Sequence, residues 1–92
     1  MYFYGLGQCA KNALIDIKSV GQEKLIKGVI DSKKTGEWES YQIVDLDNVD
    51  KNDVIVITVK MPEYIEEIKN ILEKMDSLIY IIIIAEEQKW IF

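Results

Sequence analysis

The stretch that most constrains the fold is residues 2–10, in which two glycines separate a short apolar segment from the start of a helix. Gly5 permits a tight turn, and Gly7 allows the phosphate groups of a ligand to approach bare backbone. Ala10 is small enough for the helix to pack closely on the strand. The stretch therefore predicts strand, turn and helix. Its spacing fits the G-x-G-x-x-G/A fingerprint of dinucleotide-binding folds.

Composition excludes several functions. The 92 residues make one domain, too short for two complete βαβαβ halves. The formal net charge is −5 and every cationic residue is lysine, which argues against nucleic acid as a partner. No apolar run approaches the roughly 20 residues that span a bilayer, so we expect no membrane insertion. A single cysteine fits a reducing, cytoplasmic setting, and the absence of histidine excludes imidazole catalysis.

Apolar segments alternate with amphipathic ones along the chain. Apolar, largely β-branched runs predict buried parallel strands, and three- to four-residue apolar spacing predicts helices. The order of elements predicts a three-layer α/β fold with a doubly wound parallel sheet of about five strands in the order 3-2-1-4-5. Residues 32–40 read as a polar loop. The predicted strands are residues 2–4, 25–30, 41–44, 54–59 and 78–84, and the predicted helices are residues 8–20 and a segment that starts at Pro62.

This order places a crevice between strands one and four, where a ligand would bind. Asp31 follows strand two, where an acid can accept hydrogen bonds from a ribose hydroxyl, although an acid there also serves solubility alone. Lys60 could pair with a phosphate or carboxylate, or simply cap a strand at the surface. The predicted ligand-binding residues are Gly5, Leu6, Gly7, Gln8, Asp31, Ser32, Thr58 and Lys60.

No reacting group stands out. Cys9 lies at a helix start, which lowers the pKa of a thiol, but the chain has no histidine to act as its base, so we interpret it as a packing residue. Asp45 and Asp47 match the D-x-D pattern with which many glycosyltransferases hold a metal-bound nucleotide-sugar, yet a solvated acidic loop is the better reading. We therefore predict no catalytic residue and no metal ligand in this domain.

Residues 5–10, 28–32 and 62–68 together resemble small Rossmann-like domains of bacterial surface-polysaccharide enzymes. Such domains precede sugar acetyltransferases or are fused to glycosyltransferases and methyltransferases. The resemblance implies a nucleotide or nucleotide-sugar ligand, with Gly5 and Gly7 against a phosphate or sugar and Asp31 against a ribose or base. The sequence departs from the pattern in a shorter first strand and in residues 58–60, which replace the usual small-residue end of strand four.

Three functions remain open from the sequence. The first is an accessory module that binds a nucleotide or nucleotide-sugar in a larger transferase of polysaccharide biosynthesis. The second is a scaffold whose glycines serve packing only, and the third is the NAD-binding half of a dehydrogenase or epimerase. We expect the single domain of residues 1–92 to be part of a longer protein, with Trp90, Ile91 and Phe92 packing on an attached domain, on a partner subunit or back on the sheet.

Overall fold

A computed structural model describes residues 1–75, 80–84 and 89–91 of the chain. In this part, two α-helices and seven strands follow one another, with short 3-10 turns at Glu23–Leu25 and Leu46–Asn48. The elements are β1 Tyr2–Tyr4, α1 Gln8–Ser19, β2 Gly28–Ile30, β3 Glu37–Trp38, β4 Tyr41–Val44, β5 Ile55–Ile57, α2 Pro62–Lys74, β6 Tyr80–Ile84 and β7 Lys89–Ile91.

The strands form one mixed sheet in the order β3-β4-β2-β1-β5-β6-β7. Strand β1 lies at its centre, and Phe3 is in register with Val29 of β2 on one side and Val56 of β5 on the other. These central pairs are parallel, as are β2 with β4 and β5 with β6. Because these strands are parallel, the carboxyl ends of β1, β2 and β5 lie at the same end of the sheet, next to the turn that follows β1.

The predicted order, 3-2-1-4-5 in an all-parallel sheet, is wrong for the sheet as observed. When the strands are numbered in chain order, the order in the sheet begins 3-4-2-1-5. The unpredicted strand β3 is the third along the chain, so every later strand has a number one higher than predicted. Strands β3 and β7 pair antiparallel at the two edges, which makes the sheet mixed. Strand β3 escaped notice because its turn uses Glu39 and Ser40 at positive φ (50° and 72°) rather than glycine.

Side chains alternate between the two faces of the sheet, and one helix covers each face. Phe3, Val29 and Val56 are fully buried in the cluster that α1 contacts. Tyr4 and Ile57 belong to the cluster on the α2 face. Burying each large apolar side chain contributes roughly 1.5–3 kcal/mol, so these two clusters fix the sheet between the helices. The three layers agree with the prediction.

The helices follow the apolar spacing in the sequence. Helix α1 buries Cys9, Ala10, Ala13, Leu14 and Ile17, and it ends before Gly21, which adopts φ +70°. Helix α2 begins at Pro62, whose fixed φ suits a first helical turn.

Two predicted strands are shorter than expected. Leu25 lies in the 3-10 turn, so β2 begins only at Gly28, and β5 spans three of the six predicted residues. Residues 78 and 79, which the prediction included in the last strand, lie outside the described residues.

Part of the apolar tail belongs to the sheet. The backbone of Trp90 pairs with Ile83, and that of Ile91 pairs with Ile82, so the chain folds back along β6. Of the three places expected for this tail, the described backbone occupies the sheet itself. The prediction for Phe92 lies outside the described residues.

Candidate functional site

The turn after β1 is held by the end of β5. Gly5 adopts φ +114°, a conformation that side chains of L-residues rarely adopt. A Cβ at this position would lie 2.5 Å from Val59 Cγ1 and 3.0 Å from the Thr58 carbonyl oxygen. Gly5 is therefore required by the packing of the chain on itself.

Thr58 makes hydrogen bonds to the same turn. Its side-chain hydroxyl donates a hydrogen bond of 2.7 Å to the Gly5 carbonyl oxygen, and its backbone N–H donates one of 3.0 Å to the Tyr4 carbonyl oxygen. Thr58 is 1% exposed. In the crevice expected between β1 and the end of β5, the space directly beside Gly5 is therefore occupied by Val59 and the Thr58 carbonyl.

The start of α1 is open to solvent. Gly7 precedes the helix at φ −88°, and a Cβ there would meet nothing within 4 Å, so neither conformation nor space demands glycine. The first turn carries no acidic residue. The Gln8 side-chain amide donates to Asn12 Oδ1 at 3.0 Å. Leu6, Gly7, Gln8 and the exposed Lys60 do not line the cavity described next.

A cavity of about 310 Å³ lies on the α2 face, at the carboxyl ends of β1 and β2. One wall consists of the ends of β1 and β2, the loop after β2, and Val59. One face of α2 forms the other wall. The lining residues are Tyr4, Gly5, Ile30, Asp31, Ser32, Lys33, Val59, Tyr64, Glu67, Ile68 and Ile71.

Asp31 is oriented by the loop that follows it. Its Oδ1 accepts hydrogen bonds from the backbone N–H groups of Lys33, at 2.7 Å, and Lys34, at 3.0 Å. This arrangement is a side-chain-mediated turn, which the sequence Asp-Ser-Lys-Lys forms without glycine. Among the described residues, none donates a hydrogen bond to Oδ2, so half of this carboxylate is available to a ligand in the cavity.

Tyr4 lines the cavity from the end of β1. Its side chain belongs to the α2-face core and is only 9% exposed, yet no described residue hydrogen-bonds to its hydroxyl. Tyr4 lines this cavity together with Asp31 and Glu67, the two acids whose charges act on its phenol. Burial raises the pKa of Tyr4, and the negative charges of Glu67 and Asp31 raise it further.

The structure brings together part of the predicted site. Gly5, Asp31 and Ser32 line the cavity, whereas Leu6, Gly7, Gln8, Thr58 and Lys60 do not. Sequence reasoning missed Tyr4, Tyr64 and Glu67 as site residues. Two signals were available for them. Tyr4 directly precedes the glycine turn at the end of a strand, and Tyr64 and Glu67 share the face of α2 that carries Ile68 and Ile71.

The cavity contains binding groups but no recognisable reacting pair. Cys9 lies in the α1-face core, and burial raises the pKa of its thiol despite the opposing charge of Lys60, which suits a packing residue. In the described ranges, no cluster of three acidic, cysteine or histidine side chains could hold a metal ion. The polar groups of the cavity lining include the carboxylates of Asp31 and Glu67.

The fold and the cavity define a small α/β domain with a mostly parallel sheet and a ligand-sized opening at its carboxyl edge. Neither described helix is long and apolar enough to cross a membrane. Comparisons with protein-family models, curated proteins and solved structures found no match. These comparisons identify no family for this chain.

Proposed function

We propose that this domain is an accessory module that binds a nucleotide or nucleotide-sugar and does not itself catalyse a reaction. The observation that carries the proposal is the cavity at the carboxyl ends of β1 and β2, which Tyr4 and Asp31 both line. Ligands of open α/β sheets bind outside these strand ends.

The size of the cavity limits the ligand. Small-molecule sites commonly enclose about 300–1,000 Å³, and this cavity of about 310 Å³ is at the lower end of that range. Such a space suits one nucleoside or one sugar ring rather than a whole dinucleotide. The phosphate groups of a nucleotide would extend out of the cavity.

The start of α1 is the place we propose for those phosphates. Backbone N–H groups at a helix N-terminus attract anions. Gly7 has no side chain that could hydrogen-bond to these N–H groups. Lys60 is exposed, and its charge acts on Cys9 in the first turn of this helix, so a cation lies within electrostatic reach. A ligand that spans both places would join the cavity to the glycine turn.

The parent protein is proposed from the sequence resemblance. Domains of this pattern accompany bacterial transferases that build surface polysaccharides, and a nucleotide-sugar is the usual donor in such reactions. The sequence of the reading frame that surrounds residues 1–92 tests this part. An adjoining glycosyltransferase, acetyltransferase or methyltransferase domain would support the proposal, and an adjoining domain of unrelated chemistry would contradict it.

Isothermal titration with UDP-glucose, NAD and AMP tests binding by the domain. We expect heat from at least one ligand, and at least a tenfold loss of affinity in Asp31→Asn, since a hydrogen bond to a charged group contributes about 1.5–3 kcal/mol. The matched control is Glu23→Gln. Glu23 is an exposed acid in the 3-10 turn before β2, at the end of the sheet opposite to the cavity. No heat from any ligand at millimolar concentration would contradict the proposal.

One observation favours a second candidate, a scaffold without ligand. The space beside Gly5 is filled by Val59 and the Thr58 carbonyl, so this glycine is explained by packing alone. A scaffold would keep its fold and show no ligand heat, and it would bind another domain of the parent protein. The same titration therefore separates the two functions.

A further inference from the structure

We propose, resting on the proposed function, that the cavity holds the neutral, hydroxyl-bearing ring of the ligand, and that Tyr4 and Glu67 bind it opposite Asp31. The phosphate groups stay outside. The ring is either a ribose or a hexose, which share this chemistry, and nothing in the glycine fingerprint assigns a role to Tyr4 or Glu67.

The Tyr4 hydroxyl is the first part of the argument. Tyr4 is 9% exposed and packed among Ile30, Ile57 and Ile68, so its ring serves the core. A phenylalanine would fill this space equally well. The hydroxyl has no hydrogen-bond partner among the described residues, and Tyr4 lines the cavity, where a ligand can both donate to this oxygen and accept from it.

The charges of the lining are the second part. Asp31 and Glu67 both line the cavity, and carboxylates accept hydrogen bonds but cannot donate them. A ligand in contact with them must supply donors, as vicinal hydroxyl groups do. A phosphate supplies acceptors and negative charge, and both carboxylates would repel it. Lys33 contributes one cation to the lining, so the two carboxylates outnumber it; Lys33 and Glu67 are both exposed residues.

The shape of the α2 wall is the third part. Tyr64, Glu67, Ile68 and Ile71 follow the spacing that places side chains on one helical face. This face presents a polar group beside apolar surface, which matches a sugar ring with hydroxyls on its edge and C–H groups on its face. Tyr64 is 54% exposed, so its ring is free to stack on the part of the ligand that emerges.

Paired probes test this assignment by titration calorimetry. Uridine and adenosine are each compared with their 2′,3′-dideoxy forms, and UDP-glucose is compared with UDP. If ribose occupies the cavity, the dideoxy forms bind about tenfold more weakly; if the hexose does, UDP binds about tenfold more weakly than UDP-glucose. In both cases millimolar inorganic phosphate leaves binding of the uncharged ring unchanged.

Two variants connect the effect to the cavity. Tyr4→Phe and Glu67→Gln are each expected to weaken the hydroxyl-bearing probe about three- to tenfold, and to leave the matched probe that lacks those hydroxyls nearly unchanged. Glu73→Gln, an exposed acid in the last turn of α2, is the control and should change neither. Thermal melts of all variants confirm that each remains folded, as expected for Tyr4→Phe, whose lost hydroxyl has no partner in the described part of the chain.

The outcomes separate this inference from the function on which it rests. Equal affinity for each pair of probes, displacement by phosphate, or unchanged binding in both variants would overturn the assignment of the ring while leaving a nucleotide-binding domain. Failure of every probe to bind would overturn the proposed function itself, and the assignment with it.

Discussion

The Thr58 hydroxyl donates a 2.7 Å hydrogen bond to the Gly5 carbonyl oxygen, across 53 residues of sequence. This bond joins the end of the fifth strand to the turn after the first, and Thr58 is almost completely buried. The carbonyl oxygen of Gly5 therefore depends on one side chain. The bond holds the turn after β1 against the end of β5, where Val59 occupies the space beside Gly5.

Removal of this hydroxyl should destabilise the domain. Thr58→Val keeps the shape of the side chain but leaves the Gly5 carbonyl without its donor, so we expect the free energy of unfolding to fall by about 1–3 kcal/mol. Urea denaturation measures the change. Thr58→Ser retains the hydroxyl and is the control. Equal losses in both variants would show that the methyl group, rather than the hydrogen bond, matters.

Gly5 should tolerate no side chain. In Gly5→Ala the new Cβ would stand 2.5 Å from Val59 Cγ1 at φ +114°. Backbone strain of about 1–3 kcal/mol and overpacking of about 1–3 kcal/mol together predict a large loss of stability. The control is Gly7→Ala, which meets open space at an ordinary φ and should lose at most about 1 kcal/mol.

The double variant Gly5→Ala with Val59→Ala separates the two contributions. Truncation of Val59 removes the 2.5 Å contact but leaves the positive φ in place. We expect partial recovery relative to the sum of the single variants, measured as a coupling free energy in a double-mutant cycle. Strict additivity would mean that the contact between these side chains plays no part.

Position 10 should not tolerate a side chain larger than that of Ala10. It is 0% exposed and lies in the same buried cluster as Phe3 and Val29, between α1 and the sheet. Ala10→Leu adds carbon atoms to a filled core, so we expect a loss of about 1–3 kcal/mol by urea denaturation. The neighbouring exposed residue provides the control, since Lys11→Leu should change stability by no more than about 0.5 kcal/mol. Equal effects of both changes would contradict close packing at Ala10.

The Tyr4 phenol should ionise at a higher pH than an ordinary tyrosine. Burial and the charges of Glu67 and Asp31 raise its pKa above the ordinary value of 10.0. Above pH 10 the unfolded chain loses this proton while the folded chain retains it, so the contribution of Tyr4 to the free energy of unfolding falls as pH rises. Absorbance titration of the wild type minus Tyr4→Phe isolates the group. A Tyr4 signal that ionises at or below the ordinary pKa of 10.0 would contradict its placement.

Local pattern made much of the fold predictable. The β-branched residues around Val56 indicated a strand buried on both faces, and apolar spacing around Leu14 and Ile68 indicated the two helices. The edge strand at Trp38 was not predictable, because its two residues carry no periodicity. Its antiparallel pairing depends on contacts with Tyr41 rather than on local sequence.

The candidate site was predictable only where backbone geometry dictates residue type. Gly5 and Asp31 were expected near a ligand, and both line the cavity. The sequence did not reveal that Val59 would occupy the space beside Gly5, because bare backbone can face the chain itself as readily as a ligand. Glu67 was missed because its role depends on which face of the sheet α2 covers.

The most direct test of the account is an NMR titration of the labelled domain with UDP-glucose, AMP and NAD, following backbone amide shifts residue by residue. The account predicts that one ligand moves the amides of Gly5, Asp31, Ser32 and Glu67, which surround the cavity, and leaves that of Glu23 at the opposite edge of the sheet unchanged. Shifts confined to residues away from the cavity, or no shifts with any of the three ligands, would contradict a binding site at the carboxyl ends of β1 and β2.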